Sequence, residues 1–141
     1  MYNFKEIEKK WQDKWMNEKS FKAIDFHPTK PKYYVLYEFY NISGNLHMGH
    51  LKGTVPADAL ARYKRLNGYN VLFPIGGDSF GLPAENAAIK TGINPEDFVK
   101  NGMDNVMEQS RKLGLSFDFD RTICTSDPSY YKWTQWIFKK L

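Results

Sequence analysis

The spacing of apolar residues changes several times along the chain, and each change predicts an element. Phe4, Ile7, Trp11 and Trp15 recur at steps of three and four among lysines and glutamates, the spacing of one helix face. Asn3 can cap that helix, with Glu6 three positions on, and the stripe reads as core packing. Residues 22–32, with His27, Pro28 and Pro31, read as a loop. Residues 33–39 are apolar on both sides, which predicts a buried parallel strand. Helical spacing returns over residues 47–67, with Leu51, Val55, Ala59, Leu60, Tyr63 and Leu66 on the expected inner face and Gly68 as terminator. Residues 69–75 predict a second strand. Strand, helix, strand in that order predicts an α/β crossover unit with parallel strands.

Three further helices follow in this reading. One opens near Pro83 and stops at Gly92. The next opens on Asn94, Pro95, Glu96 and Asp97, a cap, a first-turn proline and two carboxylates, and stops at Gly114. The last opens at Asp127-Pro128 and carries Tyr131, Trp133, Trp136, Ile137 and Phe138. Large apolar faces of that kind await a partner or further chain. Pro56 falls inside the 47–67 helix and removes one helical hydrogen bond, so a kink or break is expected near residues 52–56, with a second helical segment starting at Pro56.

Composition narrows the class only modestly. The 141 residues are 42% hydrophobic and 26% charged, which suits one globular domain and excludes disorder. No apolar run reaches the ~18 residues of a membrane span, and the charged opening lacks a signal-peptide core. With one cysteine, Cys124, an internal disulfide and a multi-cysteine metal site are excluded. Cytoplasm is therefore the expected compartment, with no membrane partner. The net charge of +4 suits an anionic ligand and an ordinary surface equally.

Two short blocks carry the candidate chemistry. His47-Met48-Gly49-His50 lies where the first apolar run gives way to the helix. Imidazole N–H groups, a glycine without a side chain and a helix N-terminus can all face one anion there. The second block, Pro74 through Asn86, follows the second strand and supplies the carboxylate of Asp78, expected in a loop whose glycines let a small ligand reach the backbone. For the two histidines, helix capping is the alternative; a metal pair lacks an evident third ligand. For Asp78 the alternative is a turn-forming aspartate. Glu85 reads as a first-turn helix charge.

These blocks resemble a known family. The HMGH block is similar to the HxGH motif of class I aminoacyl-tRNA synthetases. The stretch Gly76-Gly77-Asp78-Ser79-Phe80-Gly81-Leu82-Pro83-Ala84-Glu85-Asn86 narrows the resemblance to leucyl-tRNA synthetases, and Tyr130-Tyr131-Lys132-Trp133-Thr134-Gln135-Trp136 is similar to their helix ahead of the large insertion. The resemblance implies a Rossmann-like half-domain, the amino-terminal part of a catalytic domain spanning residues 1–141, that activates leucine with ATP and Mg²⁺ for transfer to tRNA-Leu. It implies that His47 and His50 are catalytic, and that Gly44, His47, Met48, Gly49 and His50 bind ATP. It also implies that Phe39, Tyr40 and Asp78 bind the amino acid; no metal ligand is implied. The family's editing, KMSKS and anticodon-binding regions have no counterpart in these residues, so they are expected to be an amino-terminal fragment of a longer synthetase, one subunit of a split enzyme with a complementary synthetase half as partner, or a diverged or redesigned minimal catalytic half.

The residues also depart from the family pattern. Tyr40-Asn41-Ile42-Ser43-Gly44 stands where the family has a Pro-Tyr-Pro-Ser-Gly type stretch, so a looser phosphate loop is expected. Glu38 stands at the strand end, where burial without a partner would cost several kcal/mol. Gly77 replaces a family tryptophan and is expected to widen the substrate pocket. The alternatives are another HxGH nucleotidyltransferase and a catalytically idle module that docks through its aromatic helix.

Overall fold

The structure, a computed structural model, describes residues 2–141. Helix α1 (Phe4–Asn17) leads through a long loop to strand β1 (Lys32–Tyr34) and a short continuation, β2 (Tyr40–Asn41). Helix α2 (Met48–Leu66) crosses over to β3 (Asn70–Leu72) and β4 (Pro74–Asp78). Helices α3 (Leu82–Thr91) and α4 (Pro95–Lys112) return the chain to β5 (Asp118–Cys124), and α5 (Pro128–Phe138) follows. β1 pairs with β3, and β2, β4 and β5 form a second sheet in the order β2-β4-β5; every pairing is parallel. The α/β crossover unit expected from the pattern is what the chain adopts.

The core lies where α2 and α4 cover the sheet. Phe73 and Phe117, with ring centroids 4.4 Å apart, pack with Val35, Val71, Ile75, Ala61, Val106 and Leu115. The first strand differs from expectation. It alternates, with Tyr33, Val35, Tyr37 and Phe39 turned inward and Tyr34, Leu36 and Glu38 outward, so only one face is covered. Glu38 is thus exposed, and the anticipated cost of burying it does not arise. β5 went unread in the sequence, although Phe117, Phe119 and Ile123 stand at period-two positions there.

α2 also corrects two expectations. It runs unbroken through Pro56. Lys52 and Pro56 both lie on its exposed side, so water can serve the carbonyl that proline leaves without a donor. The second correction concerns its inner face, which is Thr54, Asp58 and Ala61, while Val55, Leu60, Tyr63 and Leu66 are exposed. Polar groups are tolerated inward because each finds a partner. Asp58 accepts from the Ser116 N–H at 2.6 Å and pairs with Arg62 at 2.7 Å. Arg65 donates to the Ser116 hydroxyl at 2.7 Å and carbonyl at 2.9 Å. Burial pushes the Arg65 guanidinium down to about 10, which leaves it charged at neutral pH.

The amino-terminal helix is less enclosed than expected, and the carboxyl-terminal one is as open as its pattern implies. α1 has no buried residue; Phe4 and Trp11 are exposed, so its stripe covers the surface rather than filling the core. Asn3 sits at the cap position, but its side chain donates to Glu6 at 3.0 Å instead of accepting a helix N–H. His27 is half-buried and accepts from the N–H groups of Thr29 and Lys30, which makes it a turn former within the expected loop. α5 also buries nothing, and Trp133, Trp136, Ile137 and Phe138 face outward. The remaining caps match their prediction: Asn94 accepts from Glu96 N–H, Asp127 from Ser129 N–H, and Gly92 takes the left-handed conformation at φ 69°.

Candidate functional site

Both chemical blocks lie at the carboxyl edge of the parallel strands, where open α/β sheets bind ligands. Asn41, the last residue of β2, is in register with Asp78, the last residue of β4. Five residues separate the end of β2 from His47, the N-cap of α2.

The start of α2 is built from its own residues. The Gly49 N–H donates to His47 Nδ1 at 3.1 Å, and the His47 N–H donates to His50 Nδ1 at 3.2 Å, a reciprocal capping box made by two imidazoles. The rings stack with centroids 3.8 Å apart and planes 17° from parallel. Because each Nδ1 accepts, each neutral ring carries its proton on Nε2. Capping is therefore present, and it does not compete with anion binding: it fixes a tautomer that leaves two Nε2–H donors uncommitted. Burial lowers the His50 pKa, the neighbouring His47 lowers it further, and Glu38 opposes both. Gly44, His47, Met48 and Gly49 are all exposed. A Cβ on Gly49 would meet the His47 ring at 2.9 Å, so the glycine admits that ring.

Residues missed by the sequence reading hold this helix start in place. Thr54 donates to the His50 carbonyl at 3.0 Å, and Tyr37 donates to it at 3.2 Å. With the Thr54 proton spent, the 2.7 Å contact between Tyr40 and Thr54 has Tyr40 as donor. Tyr40 is buried with its ring edge toward His50, which places it behind the histidines. Gly53 is required by the same packing, since a Cβ there would run into the Tyr37 ring. The loop ahead of His47 is anchored despite its missing prolines: Gln109 of α4 accepts from Leu46 N–H at 2.9 Å, and Asn105 donates to Asn45 at 2.6 Å.

The Asp78 side is built from distant residues. Gly76, Gly77 and Asp78 belong to a strand rather than a loop. Phe39 lies over Gly76, and Ile42 and Met103 fill the space that a Gly77 side chain would need. Gly77 therefore does not widen a pocket; neighbouring side chains occupy the vacated volume. The Asp78 carboxylate is exposed and accepts from the Thr125 hydroxyl at 3.1 Å. The same hydroxyl accepts from the N–H groups of Ser79 at 2.9 Å and Phe80 at 3.1 Å. Ser79 Oγ also lies 2.8 Å from Ser126 Oγ and 3.2 Å from Cys124 Sγ. Glu85 sits in the first turn of α3, as read. Among the described residues, no group of three or more His, Cys, Asp or Glu could hold a metal ion. No helix among them is long and apolar enough to cross a membrane.

The chain is similar to known proteins over nearly all of its length. The family described as tRNA synthetases class I (M) matches residues 33–141. A leucine–tRNA ligase of Dehalococcoides mccartyi is 55% identical over 140 residues, and one of Thermotoga maritima is 53% identical over 140 residues. Each match covers 99% of this chain but 17% of the relative, so the chain spans about a sixth of their length. A crystal structure of a LeuRS from Agrobacterium radiobacter K84, in ternary complex with tRNA and LeuAMS, is similar with a TM-score of 0.92 and 37% identity. That similarity covers 100% of this chain and 18% of that one.

Proposed function

Since the chain belongs to the class I tRNA synthetase family, we propose that it forms the ATP- and leucine-binding part of a leucine–tRNA ligase. The observation that carries this reading is the pair of stacked histidines at the α2 start, with both Nδ1 atoms spent on caps. Two Nε2–H donors and the positive end of α2 then serve one polyanion.

The reaction joins leucine to ATP. A carboxylate oxygen of leucine bonds to the α-phosphorus as the bond to pyrophosphate breaks, giving leucyl-adenylate. His47 and His50 donate to the phosphates, where negative charge grows as pyrophosphate departs. Donors held in place before the reaction are commonly the largest catalytic contribution. Gly44, Met48 and Gly49 present open backbone to the nucleotide. Asp78 holds the leucine ammonium, and Phe39 lines one side of its side chain. The protein supplies no nucleophile. Mg²⁺ bound with ATP would neutralise charge on the phosphates that His47 and His50 face. The acyl group then passes to tRNA-Leu, whose binding requires regions outside these residues. The exposed aromatic face of α5 suits the complementary part of the synthetase. The single cysteine accords with a cytoplasmic setting.

The test is exchange of pyrophosphate into ATP, measured on the chain alone and on the chain joined to the remaining part of a leucine–tRNA ligase, with a panel of amino acids. The joined protein is expected to show exchange that depends on leucine. Exchange with no amino-acid dependence, or none in the joined protein, would overturn the reading.

A further inference from the structure

Thr125 lies in the turn after β5, 47 residues from Asp78, and nothing in its sequence context marks it. A threonine hydroxyl has one proton to give and two lone pairs to receive. Here both lone pairs are taken, by the N–H groups of Ser79 at 2.9 Å and Phe80 at 3.1 Å. The single proton is left with one destination, Asp78 Oδ1 at 3.1 Å. The backbone also holds this corner from both sides: Thr125 N–H donates to the Gly77 carbonyl at 3.0 Å, and Ile42 N–H donates to the Asp78 carbonyl at 3.2 Å. The direction of the hydroxyl bond is thus forced by the chain itself, and it fixes which carboxylate oxygen is occupied. Oδ2 accepts no hydrogen bond from the described residues and remains available to a cation.

We propose that Thr125 is the positioning residue of the amino-acid site: its hydroxyl, locked by two backbone N–H groups, holds the Asp78 carboxylate so that Oδ2 meets the substrate ammonium. The proposal rests on the assignment of Asp78 to the ammonium given above. Thr125 touches no substrate in this account. It acts on binding of the amino acid and leaves the phosphate side, built from His47 and His50, untouched.

The experiment measures exchange kinetics in the joined synthetase for Thr125→Val, Thr125→Ser and Asp78→Asn, with KM taken separately for leucine and ATP. Valine keeps the shape and removes the hydroxyl; serine keeps the hydroxyl. Thr125→Val is expected to raise the leucine KM about tenfold, the loss of one hydrogen bond to a charged group, with the ATP KM within about twofold of the parent. Thr125→Ser is expected to restore the leucine KM. If Thr125→Val loses its far-ultraviolet circular dichroism, Thr125→Ala takes its place with the same expected split. A parental leucine KM in Thr125→Val beside a raised one in Asp78→Asn would overturn the proposal and leave the Asp78 assignment standing. Equal damage from Val and Ser, or a matching rise in both KM values, would overturn it in favour of a purely structural threonine. A parental leucine KM in Asp78→Asn would sink the assignment itself and the proposal with it.

Discussion

The two sides of the site are built in opposite ways. At the α2 start, His47, Gly49 and His50 satisfy one another within four residues, each imidazole capping through Nδ1 with its Nε2 left uncommitted. At the end of β4, Asp78 depends on Thr125, and its supporting strand depends on Ile42 and Met103 filling the space beside Gly77. The difference teaches where each side is vulnerable. The local side can lose a contact and refit, because its groups are adjacent in the chain and His47 and Gly49 are exposed. The distant side is tied into the core, so a change there is felt as stability as well as binding.

The largest expected effect lies in the core that carries both sides. Asp58→Ala leaves the buried Ser116 N–H without its acceptor and Arg62 without its partner. A loss of about 3 kcal/mol is expected in urea unfolding, at the low end for a buried pair because Arg62 keeps contact with water. A loss below about 1 kcal/mol would mean that α2 is not held to the sheet by this network.

Glycine substitutions sharpen the comparison directly. Gly77→Ala drives a methyl into Ile42 and the Met103 sulfur, and about 2 kcal/mol of destabilisation is expected. Gly49→Ala meets only the exposed His47 ring, which can swing aside. The helix preference for alanine offsets that shift, so unfolding should change by less than about 0.5 kcal/mol. Equal costs at the two glycines would erase the distinction drawn between the sides.

Gln109→Leu removes the acceptor for Leu46 N–H without changing the fold of α4. About 1 kcal/mol is expected from calorimetric unfolding, with faster hydrogen exchange confined to residues 44–46. Gln109→Glu keeps an acceptor and should keep the protection.

The smallest effect is a pH dependence on the local side. Folding lowers the His50 pKa from its ordinary value of 6.5, through burial first and His47 second. The unfolded chain therefore takes up the proton more readily, and stability rises with pH through that window. Once pH falls below the lowered folded value, protonation removes the Nδ1 acceptor that caps His47 N–H. Melting temperatures at pH 7.5 and 5.5 should differ less in His50→Gln than in the parent, and an unchanged difference would remove His50 from the account.

The same contrast explains what could be read from the chain. The HMGH block and the caps at Asn94 and Asp127 are legible because their hydrogen bonds close within a few residues. The crossover order of strand, helix and strand followed from period alone. The inner face of α2 misled the reading because polar Thr54 and Asp58 are buried there and apolar Val55 and Leu66 are not; their partners Tyr40 and Ser116 are visible only in three dimensions. Pro56 was read as a break because the pattern cannot show that its side of the helix meets water. Gly77 was read as an opening because Met103, from another helix, is what fills it. Thr125 and Gln109 carry no local signal at all: each acts across more than forty residues.

The central claim is that the α2 start is a preorganised clamp for the ATP phosphates. The most direct test is leucine-dependent pyrophosphate exchange in the joined synthetase, comparing the parent with the double variant His47→Ala/His50→Ala. A fall in kcat of about a hundredfold or more is expected, with the leucine KM little changed. Parental kcat in the double variant would contradict it.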